Sequence, residues 1–319
     1  MKISLVATLL NEAPNLDAML KAIDRQTRQP DEVVIVDGGS TDGSLEILRH
    51  WASGRPNTRI GTEPGANISA GRNAAIRLAT GEVIAVTDAG CTPEPGWLAA
   101  LAAGFGSSGN EADVVMGFYA PDPRTRFERI LSCLNLPDAS EVDPDSFMPS
   151  SRSVAFRREV WERAGGYPEW LAIGEDMYFN FQVLRSGARR RFAPEAVVRW
   201  RLRPDLRSTL RQYFRYAEGD GRAGMYPRRH ALRFATYAGA ALLLGASARR
   251  PVLLGGIPPA VAVRMLAAYR RAFRRLDRTE AALSIAALPA LELLIDLAKM
   301  AGYVSGRVAG RPEAPEAGS

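Results

Sequence analysis

Along the first half of the chain, apolar residues fall into short runs that end on polar tips. The runs Lys2 to Thr8, Glu32 to Asp37, Val83 to Thr87, Asp113 to Phe118 and Ser153 to Phe156 have the length and composition of strands. Between them, Asn15 to Gln26, Gly43 to Ala52, Ala70 to Ala79, Gly96 to Phe105, Glu159 to Ala164 and Glu175 to Ser186 carry helical patterning. The alternation is that of βαβ units and predicts an α/β fold with a mostly parallel sheet flanked by helices. Three strand ends are polar: Asn11-Glu12, Asp37 with the turn Gly38 to Gly43, and Asp88-Ala89-Gly90-Cys91. Open parallel sheets bind ligands beyond the carboxyl ends of their strands, so these tips are expected to share one crevice. Thr41 or Asp42 can cap the helix after the turn, Asn11 the helix that follows it, and Ser69 the helix carrying Arg72.

After about residue 205 the strand signal fades. Phe234 to Ala248 holds 15 residues without charge, and Pro251 to Val263 holds 13 more, interrupted by Pro258-Pro259. Both are shorter than the roughly 17–20 apolar residues that span a bilayer. A third run, Ala281 to Leu291, leads into Glu292, Asp296 and Lys299 at helical spacing, which makes it amphipathic rather than spanning. The pattern divides the chain into an α/β domain over 1–225, a helical segment over 226–305, and a tail over 306–319. The end of that tail, from Arg311, is rich in Pro, Glu and Ala and is expected to be disordered.

Charge sharpens this division. Residues 1–184 carry 16 Lys and Arg against 25 Asp and Glu, a balance of −9, whereas residues 185–278 carry 22 Arg against 5 acids, a balance of +17. Short apolar helices flanked by arginine suit an anionic membrane surface, where the guanidinium groups meet lipid phosphates. A helical subdomain packed on the sheet, or a homodimer interface, is the alternative use of the same helices. The interleaved apolar stretches suit lipid better than a phosphate backbone, so nucleic acid is not the expected partner. Two cysteines, Cys91 and Cys133, without CxxC spacing, and two histidines far apart, His50 and His230, argue against a zinc site or a disulfide scaffold. The opening run ends at Asn11-Glu12 without a small-residue cleavage site, so it reads as a strand rather than a signal peptide, and the site is expected on the cytoplasmic face.

Five motifs in order, Asn11-Glu12, Val36 to Asp42, Gly71-Arg72-Asn73-Ala74-Ala75, Thr87 to Cys91 with Pro95-Gly96-Trp97-Leu98, and Gly174-Glu175-Asp176, resemble the GT-A family 2 glycosyltransferases of bacterial type over about residues 1–200. The resemblance implies an inverting hexosyltransferase-like enzyme that moves a sugar from a nucleotide-diphosphate donor, UDP-sugar favoured, to a hydroxyl of a glycan or lipid-linked acceptor in cell-envelope synthesis. It implies that Asp37 meets the base edge, that Asn11 and Glu12 line the ribose side, and that Arg72 holds the diphosphate or the base. Asp88 would bind ribose and a divalent metal, Mg²⁺ or Mn²⁺, and Asp176 would be the general base with Glu175 orienting the acceptor or exchanging roles with it. Gly90 stands where the Asp-x-Asp pattern has its second carboxylate. That departure keeps open a catalytically silent nucleotide-sugar binder recruited to membranes. Arg211 to Tyr216 resembles the Gln-x-x-Arg-Trp signature of processive members, with tyrosine in place of tryptophan. A nucleotidyltransferase would need a glycine-rich basic loop where the chain reads Leu10 to Pro14.

Overall fold

The computed structural model describes residues 1–106 and 111–311 and divides the chain into two units, 1–122 with 138–201, and 123–137 with 202–319. In the first strand, β1 (Ile3–Leu9), Ile3, Leu5, Ala7 and Leu9 join one apolar cluster while Val6 joins another. Successive side chains of a strand point to opposite faces, so β1 is covered on both. The sheet also contains β2 (Glu32–Asp37), β3 (Thr58–Thr62), β4 (Val83–Val86), β5 (Cys91–Pro93), β6 (Val114–Pro121), β7 (Val154–Arg157) and β8 (Arg190–Trp200), in the order β3-β2-β1-β4-β7-β6-β8-β5. Strands β1 to β4 run parallel, as do β6 and β8, while β7 and β5 pair antiparallel with their neighbours.

One face is covered by α1 (Ala13–Asp24), α2 (Ser44–Ala52) and α4 (Trp97–Ala103), through Leu16, Met19, Leu48, Trp97 and Leu101. The other is covered by α3 (Ile68–Leu78), α6 (Arg158–Arg163) and α7 (Glu175–Arg185), through Ile76, Val160 and Phe179. Each such buried side chain contributes about 1.5–3 kcal/mol. The crossovers through α1 and α2 lie on one face and the connection from β3 to β4 through α3 on the other, so the ends of β1 and β4 flank the point where the sheet reverses its winding.

The second unit is helical: α5 (Arg126–Asn135), α8 (Leu206–Ala223), α9 (Pro227–Ser247), α10 (Ile257–Arg275) and α11 (Arg278–Ala309). Its apolar core joins Ile130 and Cys133 of α5 to Met265, Ala268 and Ala272 of α10 and Leu288 and Leu291 of α11. Helices α8 and α11 lie close because Gly302 and Gly306 face α8; a Cβ on Gly302 would come within 2.1 Å of the Phe214 carbonyl oxygen. Buried Asp296 accepts from Arg233 Nε at 2.8 Å, Arg264 Nη2 at 2.8 Å and the Tyr237 hydroxyl at 3.1 Å. Large apolar side chains nevertheless stand in solvent, among them Leu242 at 75%, Val263 at 76% and Val308 at 83% exposure.

Several elements differ from their expected form. The division falls at residues 201/202 and assigns 123–137 to the helical unit, rather than falling at 225/226. Pro258 and Pro259 lie in the first turn of α10, where missing N–H groups cost nothing, so they start a helix instead of interrupting one. The third apolar run is part of a 32-residue helix that is long and apolar enough, by length and composition, to cross a membrane. That helix also continues to Ala309, past the expected start of the tail at 306, while 312–319 lie outside the described residues.

Candidate active site

Close backbone approach at one glycine positions the centre of the site. A Cβ on Gly71 would stand 2.2 Å from Thr8 Oγ1, so glycine lets the first turns of α3 lie against the end of β1. The next residue, Arg72, then points inward at 1% exposure. The cap of α3 is Asn67, whose side chain accepts from Ala70 N at 2.9 Å; Ser69, expected in that role, lies within the helix. Arg72 Nη2 donates to Asp88 Oδ1 and its Nη1 to Glu175 Oε1, each at 2.6 Å. One guanidinium therefore joins Asp88, two residues beyond β4, to the first turn of α7, 103 positions from Arg72 in the chain.

The acids do not respond alike. Burial opposes charge on Asp88, but Arg72 and then Arg152 outweigh it and hold its carboxyl below the ordinary range. Glu175 is pushed the other way, to about 6, by burial and then by the negative charge of Asp176, which together exceed the pull of Arg72. Arg72 itself stays charged, its burial overcome by Asp88 and Glu175. Left-handed Gly174 (φ 80°) begins α7, placing both Glu175 and Asp176 in its positive first turn.

Asp176 is less buried than Glu175 and is reached by a second path. Its Oδ2 accepts from the Ser150 hydroxyl at 3.1 Å, and Ser150 Oγ in turn accepts from Arg152 Nη1 at 2.8 Å. A hydroxyl has one proton to give, so this chain orients Ser150 toward the carboxylate. Arg152 Nε lies 3.9 Å from Asp88 Oδ2, which closes a ring of charge through Asp88, Arg72, Glu175, Asp176, Ser150 and Arg152.

The loops after β1 and β2 carry the remaining predicted residues. Asn11, at φ 57°, accepts from Thr41 N at 2.9 Å and donates its own N–H to Ser40 Oγ. It ties the two loops together instead of capping α1, whose N-cap position is Glu12. Glu12 accepts from Asn15 Nδ2 through Oε2. Asp42 accepts from Ser44 N and Oγ, although the N-cap of α2 is Gly43. Asp37 is fully buried: Oδ2 accepts from the N–H groups of Gly39 and Ser40, both at 2.9 Å, while Oδ1 is buried without a hydrogen-bond partner. The turn-capping use of Asp37 is thus realised by one oxygen, and the other is an acceptor in need of a donor.

A family model described as Glycosyl transferase family 2 matches residues 4–164 of this chain, and one described as Glycosyl transferase family group 2 matches residues 142–293. The chain belongs to glycosyl transferase family 2. This glycosyltransferase is 28% identical over 232 residues to glycosyltransferase AglE of Haloferax volcanii, covering 71% of the chain and 75% of that relative. Its fold matches the mannosyltransferase PcManGT of Pyrobaculum calidifontis, solved with GDP-Man and Mn²⁺, at a TM-score of 0.60 and 22% identity over 96% of this chain and 86% of the other. GalNAc-T7, solved with UDP, GalNAc and Mn²⁺, matches at a TM-score of 0.51 and 16% identity, over 69% of this chain and 47% of the other. The fold is therefore the GT-A fold, as the motifs implied.

The described residues offer Mg²⁺ or Mn²⁺ one carboxylate, Asp88, where an ion shared with a substrate diphosphate takes one or two from the protein. Such ions take several hard oxygen ligands, and here Asp88 is the one carboxylate at its loop, facing two arginines. Gly90 supplies no side-chain ligand. Burial and then Asp88 push the Cys91 thiol up to about 12, so it remains protonated and soft. Glu94 pairs with Arg199 at 2.7 Å. Among the described residues, no three His, Cys, Asp or Glu side chains are grouped so that they could hold a metal.

Ser150 and Arg152 have no individual role in the sequence reading, where Ser150 to Phe156 is the strand before the acceptor side; the strand itself is Val154–Arg157. Their signal is a Ser-Ser-Arg-Ser stretch directly before an apolar strand, which the fold brings beside Asp88 and Asp176.

Proposed function

We propose that this enzyme transfers a sugar from a nucleotide-diphosphate donor, with inversion, to an acceptor hydroxyl that Asp176 deprotonates. The observation that carries the reading is the Arg72 bridge, which links donor-side Asp88 to the acid pair at the start of α7. Asp176 suits the base because it is the more accessible member of the pair and keeps its carboxylate oriented by Ser150. Glu175, committed to Arg72, orients that first turn. Arg72 supports the donor through Asp88, since both its Nη atoms are engaged by carboxylates. The unpartnered Asp37 Oδ1 supports a contact with a base N–H, and a uracil N3–H fits that acceptor. Asn11 and Glu12 flank the ribose side of the same crevice.

The acceptor is a glycan or lipid-linked hydroxyl at the cytoplasmic face of the membrane. Exposed Leu242, Val263 and Val308, interleaved with arginines, support docking of the helical unit at an anionic lipid surface. In the test, purified protein is heated with UDP, GDP or other nucleoside diphosphates, with and without Mn²⁺, and the competent nucleotide raises the melting temperature. Asp176→Asn should then lower kcat by roughly 10²–10⁴-fold while nucleotide affinity stays within about twofold. Donor binding with no turnover in the wild-type chain would favour the silent binder instead, a reading motivated by Gly90.

A further inference from the structure

The cation beside Asp88 is fixed with unusual care. The Arg152 guanidinium carbon lies 4.2 Å from the Trp200 ring centroid and 5.8 Å from that of Tyr119, and these two rings meet edge to face at 6.2 Å. The two rings flank the guanidinium from perpendicular directions, which restricts where the group can sit. Its Nη1 hydrogen bond to Ser150 is directed toward the base side, while Nε approaches Asp88 only to 3.9 Å, beyond hydrogen-bond range. Arg72, by contrast, makes hydrogen bonds of 2.6 Å to both of its carboxylates. The third position of the Asp88-Ala89-Gly90 loop faces open space, since a Cβ on Gly90 would meet nothing within 4 Å.

We propose that Arg152 binds the diphosphate of the donor directly and takes the charge of the leaving group, beside a loop whose one carboxylate is Asp88. The inference rests on the donor reading given above. In the transfer step, the acceptor oxygen bonds to the anomeric carbon as its proton passes to Asp176. The bond from the anomeric carbon to the β-phosphate oxygen breaks, and its electron pair stays on that oxygen. The departing nucleoside diphosphate thus gains one negative charge next to a fixed guanidinium, the geometry in which charge-assisted hydrogen bonds are strongest. Ser150 connects the two events, because it accepts from Arg152 and donates to Asp176. The arrangement separates two arginine roles: Arg72 positions carboxylates and Arg152 contacts phosphate.

Titration calorimetry on the full chain tests this with the nucleoside diphosphate identified by thermal shift and its monophosphate, each in EDTA and in Mn²⁺. In EDTA the wild-type protein should bind the diphosphate at least about tenfold more tightly than the monophosphate. Arg152→Gln should erase that preference, leave monophosphate affinity within about twofold, and lower kcat by roughly 10²–10³-fold. Arg152→Lys, keeping charge without the planar fork, should retain part of both. Gly90→Asp adds a carboxylate in open space without steric cost and should weaken diphosphate binding about tenfold in EDTA, with recovery in Mn²⁺. Diphosphate binding by the wild type that appears only with Mn²⁺ overturns the proposal and leaves the donor reading intact. So does an Arg152→Gln variant that keeps the tenfold preference, or a Gly90→Asp variant that binds diphosphate in EDTA as the wild type does. Absence of nucleotide binding under both conditions overturns the donor reading and the Arg152 role together.

Discussion

In the first unit Arg72 is buried between Asp88 and Glu175; in the second, Asp296 is buried among Arg233, Arg264 and Tyr237. The first arrangement sets two cations, Arg72 and Arg152, against three acids, and burial followed by the charge of Asp176 raises Glu175 to about 6. The second has more cations than Asp296 needs, and Arg264 also reaches Glu292. A carboxylate left short of partners sits where a substrate group can complete the set. A carboxylate with surplus partners fastens helices. The contrast extends to the surface: the sheet unit is covered on both faces, whereas the helical unit leaves Leu242, Val263 and Val308 in solvent.

The strongest test of this contrast removes one arginine from each cluster. Arg72→Met leaves Glu175 buried without its cation and should destabilise the fold by about 3–5 kcal/mol, read from urea denaturation. Arg233→Met should cost less, about 1–3 kcal/mol, because Asp296 keeps Arg264 and Tyr237. Equal losses would break the comparison.

A smaller effect separates the two through pH. Glu175 titrates near 6 in the folded chain against 4.5 as an ordinary carboxyl, so the folded state holds its proton more tightly. Its stabilising contribution is present in full below about 4.5 and disappears as pH rises through about 6, a change of about 2 kcal/mol. Glu175→Gln should therefore gain about that much relative to wild type between pH 4.5 and pH 7, whatever its offset from the lost Arg72 contact. A flat difference across this window would place the charge excess elsewhere.

Next in size is the surface. Leu242→Gln should reduce sedimentation with anionic vesicles about tenfold and leave nucleotide binding unchanged, since it removes roughly one apolar side chain from the lipid contact. Unaltered sedimentation would assign the exposed apolar face to another partner. The smallest effect serves as a control: Asp205→Ala in the helical unit and Thr125→Ala, also there, should each cost about 1 kcal/mol, as side-chain caps do in any context.

Legibility in the sequence followed the density of apolar signal. Runs such as Ile3–Leu9 and Val83–Val86 are buried on both faces and so announce themselves, together with the acids at their ends. Strand β8 was missed because Arg190, Arg191 and Arg199 give it the look of a basic linker, while its inward positions are mostly small, Ala193, Ala196 and Val198. Strand β3 is an edge strand of half-buried residues, and β5 has only three. Helix α5 did carry a readable signal, the capping box of Thr125 and Glu128. Asp37, Asp88 and the Glu175-Asp176 pair were visible because strand ends and helix starts expose chemistry in local sequence. The partners were not: nothing near Arg72 in the chain indicates Glu175, and nothing near Arg152 indicates Trp200.

The chain leaves the sheet unit at Pro123, forms α5 in the helical unit and returns at Asp138 before leaving again after Arg201. A protease cutting once after Arg201 would therefore yield an amino-terminal fragment still carrying α5, torn from the α10 and α11 residues that bury Ile130 and Cys133. Neither half is a cassette that recombination could swap by a single join. The catalytic half and the helical half are thus expected to have been inherited as one indivisible piece.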